Sequence, residues 1–421
     1  MEELTLSNGL RIVHKHSDSA VGYCGFMVDC GSRNETSPEL FGIAHFIEHI
    51  LFKGTKTRDS WHINNRMESV GGELNAFTTK EETTFFAAFL NEDFSRACEL
   101  LCDLVCNPTA PQHELEKEQE VVIEEIDCYR DTPSELIFDE FENRLFAGHP
   151  LGHNILGSSD TVHNFDSRRC LDFIDKHYTP DRMVFFSYGK TPFNKVINNI
   201  ERFFNNNRAN SGAVINTTPD LSTSMSTGVD NSQTIVNNLH NPEIIVQDTH
   251  QAHVVIGTRT YKIGSPKSAA LAIINNILGG PGMNSRLNRE LREKRGLVYT
   301  VEGNVSNYTD AGYQCFYFGC DPHDMRRCID LCHTQMRKMY DSKMSAKQLQ
   351  AAQKQLKGQF GVAFANMENS AIALAKNILR LGRPVPLEET CARIDSVSCE
   401  QIQEVAFEVF APEKLRCVVI R

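Results

Sequence analysis

Short runs rich in β-branched and aromatic residues recur along the chain. Between them lie longer stretches in which apolar residues return every three or four positions. The short runs predict strands at Arg11–His14, Tyr23–Val28, Thr83–Leu90, Met183–Tyr188, His253–Ile256, Tyr313–Phe318 and Leu415–Ile420. The longer pattern predicts helices at Ala44–Phe52, Glu114–Tyr129, Lys195–Phe204, Ala269–Leu278, Asp324–Tyr340 and Ala346–Leu381. The two do not alternate strictly, so the class is α+β rather than a parallel βαβ fold. Residues 205–241 are rich in Asn, Ser and Thr with few large apolar side chains, which marks a linker at the middle of the chain.

A linker at the midpoint suggests duplication. Setting AHFIEHIL (44–51) over LAIINNIL (271–278), at an offset of 227, superposes Phe46 on Ile273, Ile47 on Ile274, Ile50 on Ile277 and Leu51 on Leu278. HYTPDRMVFFS (177–187) parallels VFAPEKLRCVV (409–419) at an offset of 232, with Pro180 over Pro412. Two similar offsets at separate places predict two homologous domains, each a mostly antiparallel sheet covered by helices. They would occupy residues 1–204 and 242–421, joined by the linker at 205–241.

At roughly 100–200 residues per domain, a length of 421 agrees with that division. A net charge of −11 would repel phosphate backbones and anionic lipid, which argues against nucleic acid and membranes as partners. No apolar run approaches the roughly 20 residues of a membrane span, and the N-terminal MEELTLSNGLRIV lacks the pattern of a secretory signal. The fourteen cysteines form no C-x-x-C pair. Cys98, Cys102 and Cys106 fall at helical spacing, where free thiols behave as small core residues. Together these features predict a cytoplasmic protein.

His45, Glu48 and His49 spell H-x-x-E-H, and on a helix these positions share one face. Two imidazoles suit zinc, and a carboxylate one turn away can take a proton from metal-bound water. The order reverses H-E-x-x-H and is the inverzincin signature. The alternative is a polar helix face with two solvated histidines. Against it, Phe46, Ile47, Ile50 and Leu51 make the helix largely apolar, and the second half carries Ala272, Asn275 and Asn276 where the triad would be. A catalytic zinc normally takes a third protein ligand. The helix at 113–131 offers Glu114, Glu116, Glu118, Glu120, Glu124 and Glu125, and spacing does not choose among them. Gly71-Gly72 followed by Leu74-Asn75-Ala76-Phe77-Thr78 reads either as a plain hairpin strand or as an edge strand able to add an extended peptide.

The runs GIAHFIEHILFKGT (42–55), GGELNAFTTKEETTFF (71–86) and EKEQEVVIEEI (116–126) closely resemble the pitrilysin-type inverzincin zinc metallopeptidases. The branch they resemble is that of the mitochondrial processing peptidase and its short bacterial relatives. HPLGHNILG (149–157), YTPDRM (178–183) and GGPGMNSRLNRELREKRGLVYTV (279–301) spread the likeness over nearly the whole chain. The resemblance implies one Zn2+ per chain on His45, His49 and Glu125, with Glu48 as the general base and Glu118 as an auxiliary acid. It further implies that Arg292 and Tyr299 hold substrate and stabilise the oxyanion, and that two chains enclose a chamber in which this pair completes the partner's zinc site. A chain carrying both sets points to a homodimer.

The expected function is zinc-dependent endopeptidase action on unfolded peptides, with Asn75, Ala76 and Phe77 binding the substrate as an added strand. The rival reading is a catalytically inert assembly or binding subunit, and a third is a non-proteolytic zinc hydrolase.

Overall fold

The computed structural model describes residues 1–210 and 241–421. The first half opens with β1 (Glu2–Thr5), β2 (Arg11–His16) and β3 (Val21–Val28), followed by α1 (Ile43–Leu51) and α2 (Ser60–Glu68). A hairpin of β4 (Glu73–Thr78) and β5 (Thr83–Leu90) leads into α3 (Phe94–Cys106), α4 (Gln112–Arg130) and α5 (Pro133–Leu145). Then come α6 (Ser159–His163), α7 (Ser167–His177), β6 (Met183–Gly189) and α8 (Phe193–Asn210). The second half runs β7 (Glu243–Ile245), β8 (Ala252–Thr260), α9 (Ser268–Gly279), β9 (Val298–Asn307) and β10 (Gly312–Cys320). It closes with α10 (Met325–Asp341), α11 (Ala346–Ala365), α12 (Met367–Leu381), α13 (Leu387–Asp395), α14 (Cys399–Val409) and β11 (Arg416–Ile420).

Among the described residues each half holds one sheet, ordered β1-β2-β6-β3-β5-β4 in the first and β7-β11-β8-β10-β9 in the second. The β2–β6 pair and the β7–β11 pair are parallel, and every other pairing is antiparallel. Apart from the added β1, the two sheets have one topology. The fold is therefore the expected α+β pair of similar halves.

Interior strands are buried on both faces. Along β6, Met183 and Phe185 join one apolar cluster while Val184 and Phe186 join another. Along β11, Cys417 and Val419 face one way and Val418 and Ile420 the other. Two-sided burial accounts for the unbroken apolar runs that marked these strands. The helices covering the second faces come from the opposite half. Ile137, Phe141 and Leu145 of α5 pack against Val255, Tyr313 and Val418 of the second sheet. Ala371, Leu374, Ala375 and Ile378 of α12, spaced i, i+3, i+4, i+7, pack against Val13, Met27 and Val184 of the first. The halves thus exchange equivalent helices.

That exchange corrects the single helix expected over 346–381. It breaks at Asn366, which takes extended φ and ψ of −74° and 118° and caps α12 through a side-chain bond from the Asn369 N–H. The break lets the chain leave one sheet and cross to the other. The backbone of α8 continues to Asn210, so the first six residues of the expected linker are helical. Apart from those and residue 241, the linker lies outside the described residues. Cys98 and Cys102 are buried on α3. Among the described residues, no helix is long and apolar enough to cross a membrane.

Candidate metal centre

Helix α1 presents Ile43, Ala44, Phe46, Ile47, Ile50 and Leu51 to the core, and this burial fixes the helix against the sheet. His45 and His49 consequently look toward α4, and Glu48 toward the end of β4. On α4, Leu115, Val122 and Ile126 anchor the inner face. Glu118 and Glu125, two turns apart, face α1, while Glu116, Glu120 and Glu124 are exposed. Packing thus separates six carboxylates that spacing could not.

One ligand atom each from His45, His49 and Glu125 lie within 4.8 Å of one another. Glu125 Oε1 is 3.8 Å from His45 Nε2, and its Oε2 is 3.5 Å from His49 Nε2. The other ring nitrogen of His49, Nδ1, bonds Glu118 Oε1 at 2.8 Å, and Lys53 Nζ lies 2.6 Å from Glu118 Oε2. A carboxylate on Nδ1 fixes the tautomer that leaves Nε2 as the inward donor. Two imidazole nitrogens and one carboxylate oxygen form a set of three protein ligands, and the chemistry of that set fits zinc.

Electrostatics sets the two imidazoles apart while no metal is bound. Burial, aided by the neighbouring His49, pushes the His45 imidazole down to about 4, so it is neutral and able to ligate near pH 7. Burial also disfavours charge on His49, but its hydrogen bonds to Glu118 and Glu125 outweigh that and hold it up to about 9. The bond to His49 is the main influence holding Glu125 below its ordinary value. Glu48 is displaced the other way, raised chiefly by burial, with the Thr78 hydroxyl opposing. A carboxyl raised in this way is a better proton acceptor. Thr78 Oγ1 donates to Glu48 Oε2 at 2.5 Å.

Thr78 is the last residue of β4, the outermost strand of the first sheet. Of its two edges, one pairs with β5 from Glu73↔Ala88 to Thr78↔Thr83. Asn75, Ala76 and Phe77 therefore line a sheet edge that runs up to Glu48.

Comparison with known proteins places the chain. The profile described as insulinase (peptidase family M16) matches residues 11–159, and the peptidase M16 inactive domain matches residues 164–356. An uncharacterized zinc protease of Bacillus subtilis, YmxG, is 30% identical over 98% of this chain and 96% of its own length. The chain belongs to peptidase family M16. An uncharacterized zinc protease of Streptomyces coelicolor is 31% identical over 96% of this chain and 86% of its own. A protease from Helicobacter pylori shares the fold of this M16 chain with a TM-score of 0.87 at 21% identity, covering 100% of this chain and 99% of that one. Zinc is thus the metal named for relatives of this M16 protein, in agreement with the donor set.

The remaining predicted residues lie in the second half. Arg292 sits in a π-helical turn, Asn288–Glu293, and its guanidinium lies 5.5 Å from the centre of the Tyr299 ring. Tyr299 is the second residue of β9, an edge strand of the second sheet, and is 81% exposed. The pair is brought together, but among the described residues neither member bonds to the His45–His49–Glu125 cluster within the chain. Thr78 and Lys53 were not foreseen as site residues. The position of Thr78 at the end of the edge strand was the one available signal, and Lys53 had none beyond its place one turn after His49.

Proposed function

We propose that the chain is a zinc-dependent endopeptidase that cleaves unfolded peptides. The observation that carries this reading is the convergence of His45, His49 and Glu125, with Glu48 tethered to the end of a free sheet edge. His45, His49 and Glu125 would hold one Zn2+ per chain. When bound, zinc supplies Lewis-acid polarisation of the scissile carbonyl and of the attacking water.

The chain's own residues do the rest. A peptide adds to the outer edge of β4 along Asn75, Ala76 and Phe77, where main-chain hydrogen bonds align its backbone without regard to sequence. Extended, unfolded segments alone can take that conformation. Glu48 accepts the proton from the attacking water and returns it to the departing amine, with Thr78 fixing the carboxylate's orientation. Glu118 orients His49 rather than touching the reacting atoms. Arg292, half-buried with its guanidinium over the exposed Tyr299 ring, and Tyr299 itself supply donors for the developing oxyanion in the site of a second copy. On this reading two copies enclose the chamber as a homodimer with two active sites. Free thiols at all fourteen cysteines favour a reducing, cytoplasmic setting.

The match of the second half to an inactive domain keeps the inert-subunit reading as the alternative. Metal analysis of the purified chain together with a quenched fluorogenic-peptide assay separates the two. An active zinc peptidase gives one zinc per chain and turnover lost on chelation, whereas zinc-free protein without turnover would overturn the proposal.

A further inference from the structure

The N-terminus of α1 lacks a side-chain cap of its own. Its N-cap is Gly42, at a φ of +97°. A Cβ there would come within 2.6 Å of the Leu156 carbonyl oxygen, so no residue with a capping side chain fits. The orphan amides of the first turn still need acceptors. They find one in Glu35, seven residues earlier, whose Oε2 accepts from the Gly42 N–H and whose Oε1 accepts from the Ala44 N–H, both at 2.9 Å. The Glu35 carboxylate is fully buried. A negative group in this place also suits the helix dipole.

A third donor completes the arrangement. His153 Nε2 lies 2.9 Å from Glu35 Oε2 and 3.0 Å from the Ser32 carbonyl oxygen, and since both are acceptors, Nε2 carries the hydrogen. The imidazole is stacked on Phe41, with ring centres 3.8 Å apart and planes within 7°. The backbone carbonyl of His153 accepts from the buried Lys80 ammonium, which belongs to the turn between β4 and β5. One chain of bonds thus runs from the first turn of the helix bearing His45, Glu48 and His49, through Glu35 and His153, to the turn that ends the substrate-edge hairpin. None of these residues touches the metal cluster.

We propose that Glu35 and His153 are positioning residues, which hold the first turn of α1 so that its two histidines meet Glu125, in register with the edge of β4. The inference rests on the metal-centre reading given under Proposed function. It predicts that geometry at the centre depends on a buried cap 10 residues before His45, and that the cap acts through α1 rather than through general stability.

The test is zinc affinity, measured by competition with a chromophoric chelator on full-length protein. Glu35→Gln keeps the shape but turns an amide N–H toward one of three donors. His153→Phe keeps the ring stack and removes the donor. Both should weaken zinc binding by about 10–100-fold, the range for loss of a supporting hydrogen bond. His153→Gln, whose amide nitrogen falls near the Nε2 position, should retain most of the affinity. Ile329→Val, a core change in the second half, should lower the melting temperature and leave zinc affinity unaltered.

Exchange of the Gly42 and Ala44 amides, followed without metal, should speed up in Glu35→Gln and not in Ile329→Val. Unchanged affinity and exchange in Glu35→Gln would overturn the proposal. So would equal loss in His153→Gln and His153→Phe, because packing alone would then explain the site. Zinc binding by the unaltered chain tests the metal-centre reading itself, whereas amide exchange reports on the cap without any metal.

Discussion

Replacing Glu118 by Gln isolates the support of the metal centre from its ligands. The side chain is 6% exposed and uses both oxygens, one on His49 Nδ1 at 2.8 Å and one near Lys53 Nζ at 2.6 Å. Burial by itself would raise this carboxyl, but its bonds to His49 and Lys53 outweigh that and hold it below its ordinary value, so it serves as an anion. Gln can accept from only one of the two donors and presents an N–H to the other. The imidazole then loses the partner that aims Nε2 inward. For a ligand's hydrogen-bond partner the loss in metal affinity is about 10–100-fold, equivalent to about 1.4–2.8 kcal/mol at roughly 1.4 kcal/mol per decade. Glu125→Gln, which removes a ligand, should cost more than that. Glu120→Gln and Glu124→Gln, both on the exposed side of α4, should leave affinity unchanged. Chelator competition on the four folded variants gives the ranking directly. If Glu124→Gln weakened zinc as much as Glu118→Gln, or if Glu118→Gln had no effect, the roles derived from the packing of α1 on α4 would be wrong.

Glu48→Gln should abolish peptide hydrolysis with zinc content unchanged, and His49→Ala should lose the metal; near-normal turnover in the first would remove Glu48 as the base. Tyr299→Phe should slow hydrolysis by the equivalent of roughly 2.7–4 kcal/mol without altering zinc content. Mixing Glu48→Gln with Tyr299→Phe chains should restore activity, because some mixed dimers would hold one site free of both lesions, and no recovery after verified subunit exchange would end the shared-site model. Arg380 of α12 bonds Asp29 and Glu82 of the first half, with side-chain exposures of 5% for Arg380 and 2% for Glu82. Arg380→Met leaves Lys376 as the remaining cation on Glu82, so it should cost measurably less in urea unfolding than the about 3–5 kcal/mol of a fully stranded buried charge, and no loss at all would refute a stabilising role for this ion pair. Burial disfavours charge on Glu82, but Lys376 and Arg380 outweigh it and depress its pKa. This contribution should accordingly be complete above the ordinary carboxylate range and vanish as pH falls through the depressed value, a dependence that Arg380→Met should weaken.

What the sequence disclosed follows from which forces leave a local trace. Two-sided burial writes itself into runs such as MVFFS and CVVI, so the central strands β6 and β11 were readable. The apolar face of α1 was readable for the same reason, and with it the H-x-x-E-H triad. Periodicity says that a helix has an apolar face without saying what covers it. The exchange of α5 and α12 between the sheets was therefore invisible, although Ala371, Leu374, Ala375 and Ile378 keep perfect helical spacing. The break at Asn366 was hidden because apolar spacing resumes on the far side of a single capping residue. The short β1 and β7 and the polar edge strand β9 carry too few buried positions to declare themselves. On α4, Glu118 and Glu124 are identical letters in one acidic run, and only the neighbour they face distinguishes them. Glu35 and His153 lie 118 residues apart in the chain, and no spacing rule connects them.

The likeness of the two halves shows why the Glu48 carboxylate is held so firmly. Glu48 and Asn275 occupy equivalent positions on α1 and α9, and each ties its helix to the edge strand of its own sheet. In the first half Thr78 of β4 donates to Glu48. In the second, Asn275 donates to the carbonyl of Gly303 on β9 at 2.8 Å, and Gln314 donates to Asn275 at 3.2 Å. A Cβ on Gly303 would approach Asn275 Oδ1 to 2.5 Å, so glycine is what permits the second tether. The tether is thus a property of the repeat, and it is satisfied by an amide in one half and a carboxylate in the other. Among the described residues, the cluster of metal-ligand type occurs in the first half alone. On the proposed reading, the base of the first half thus occupies a position that the second half uses for a helix-to-edge link alone.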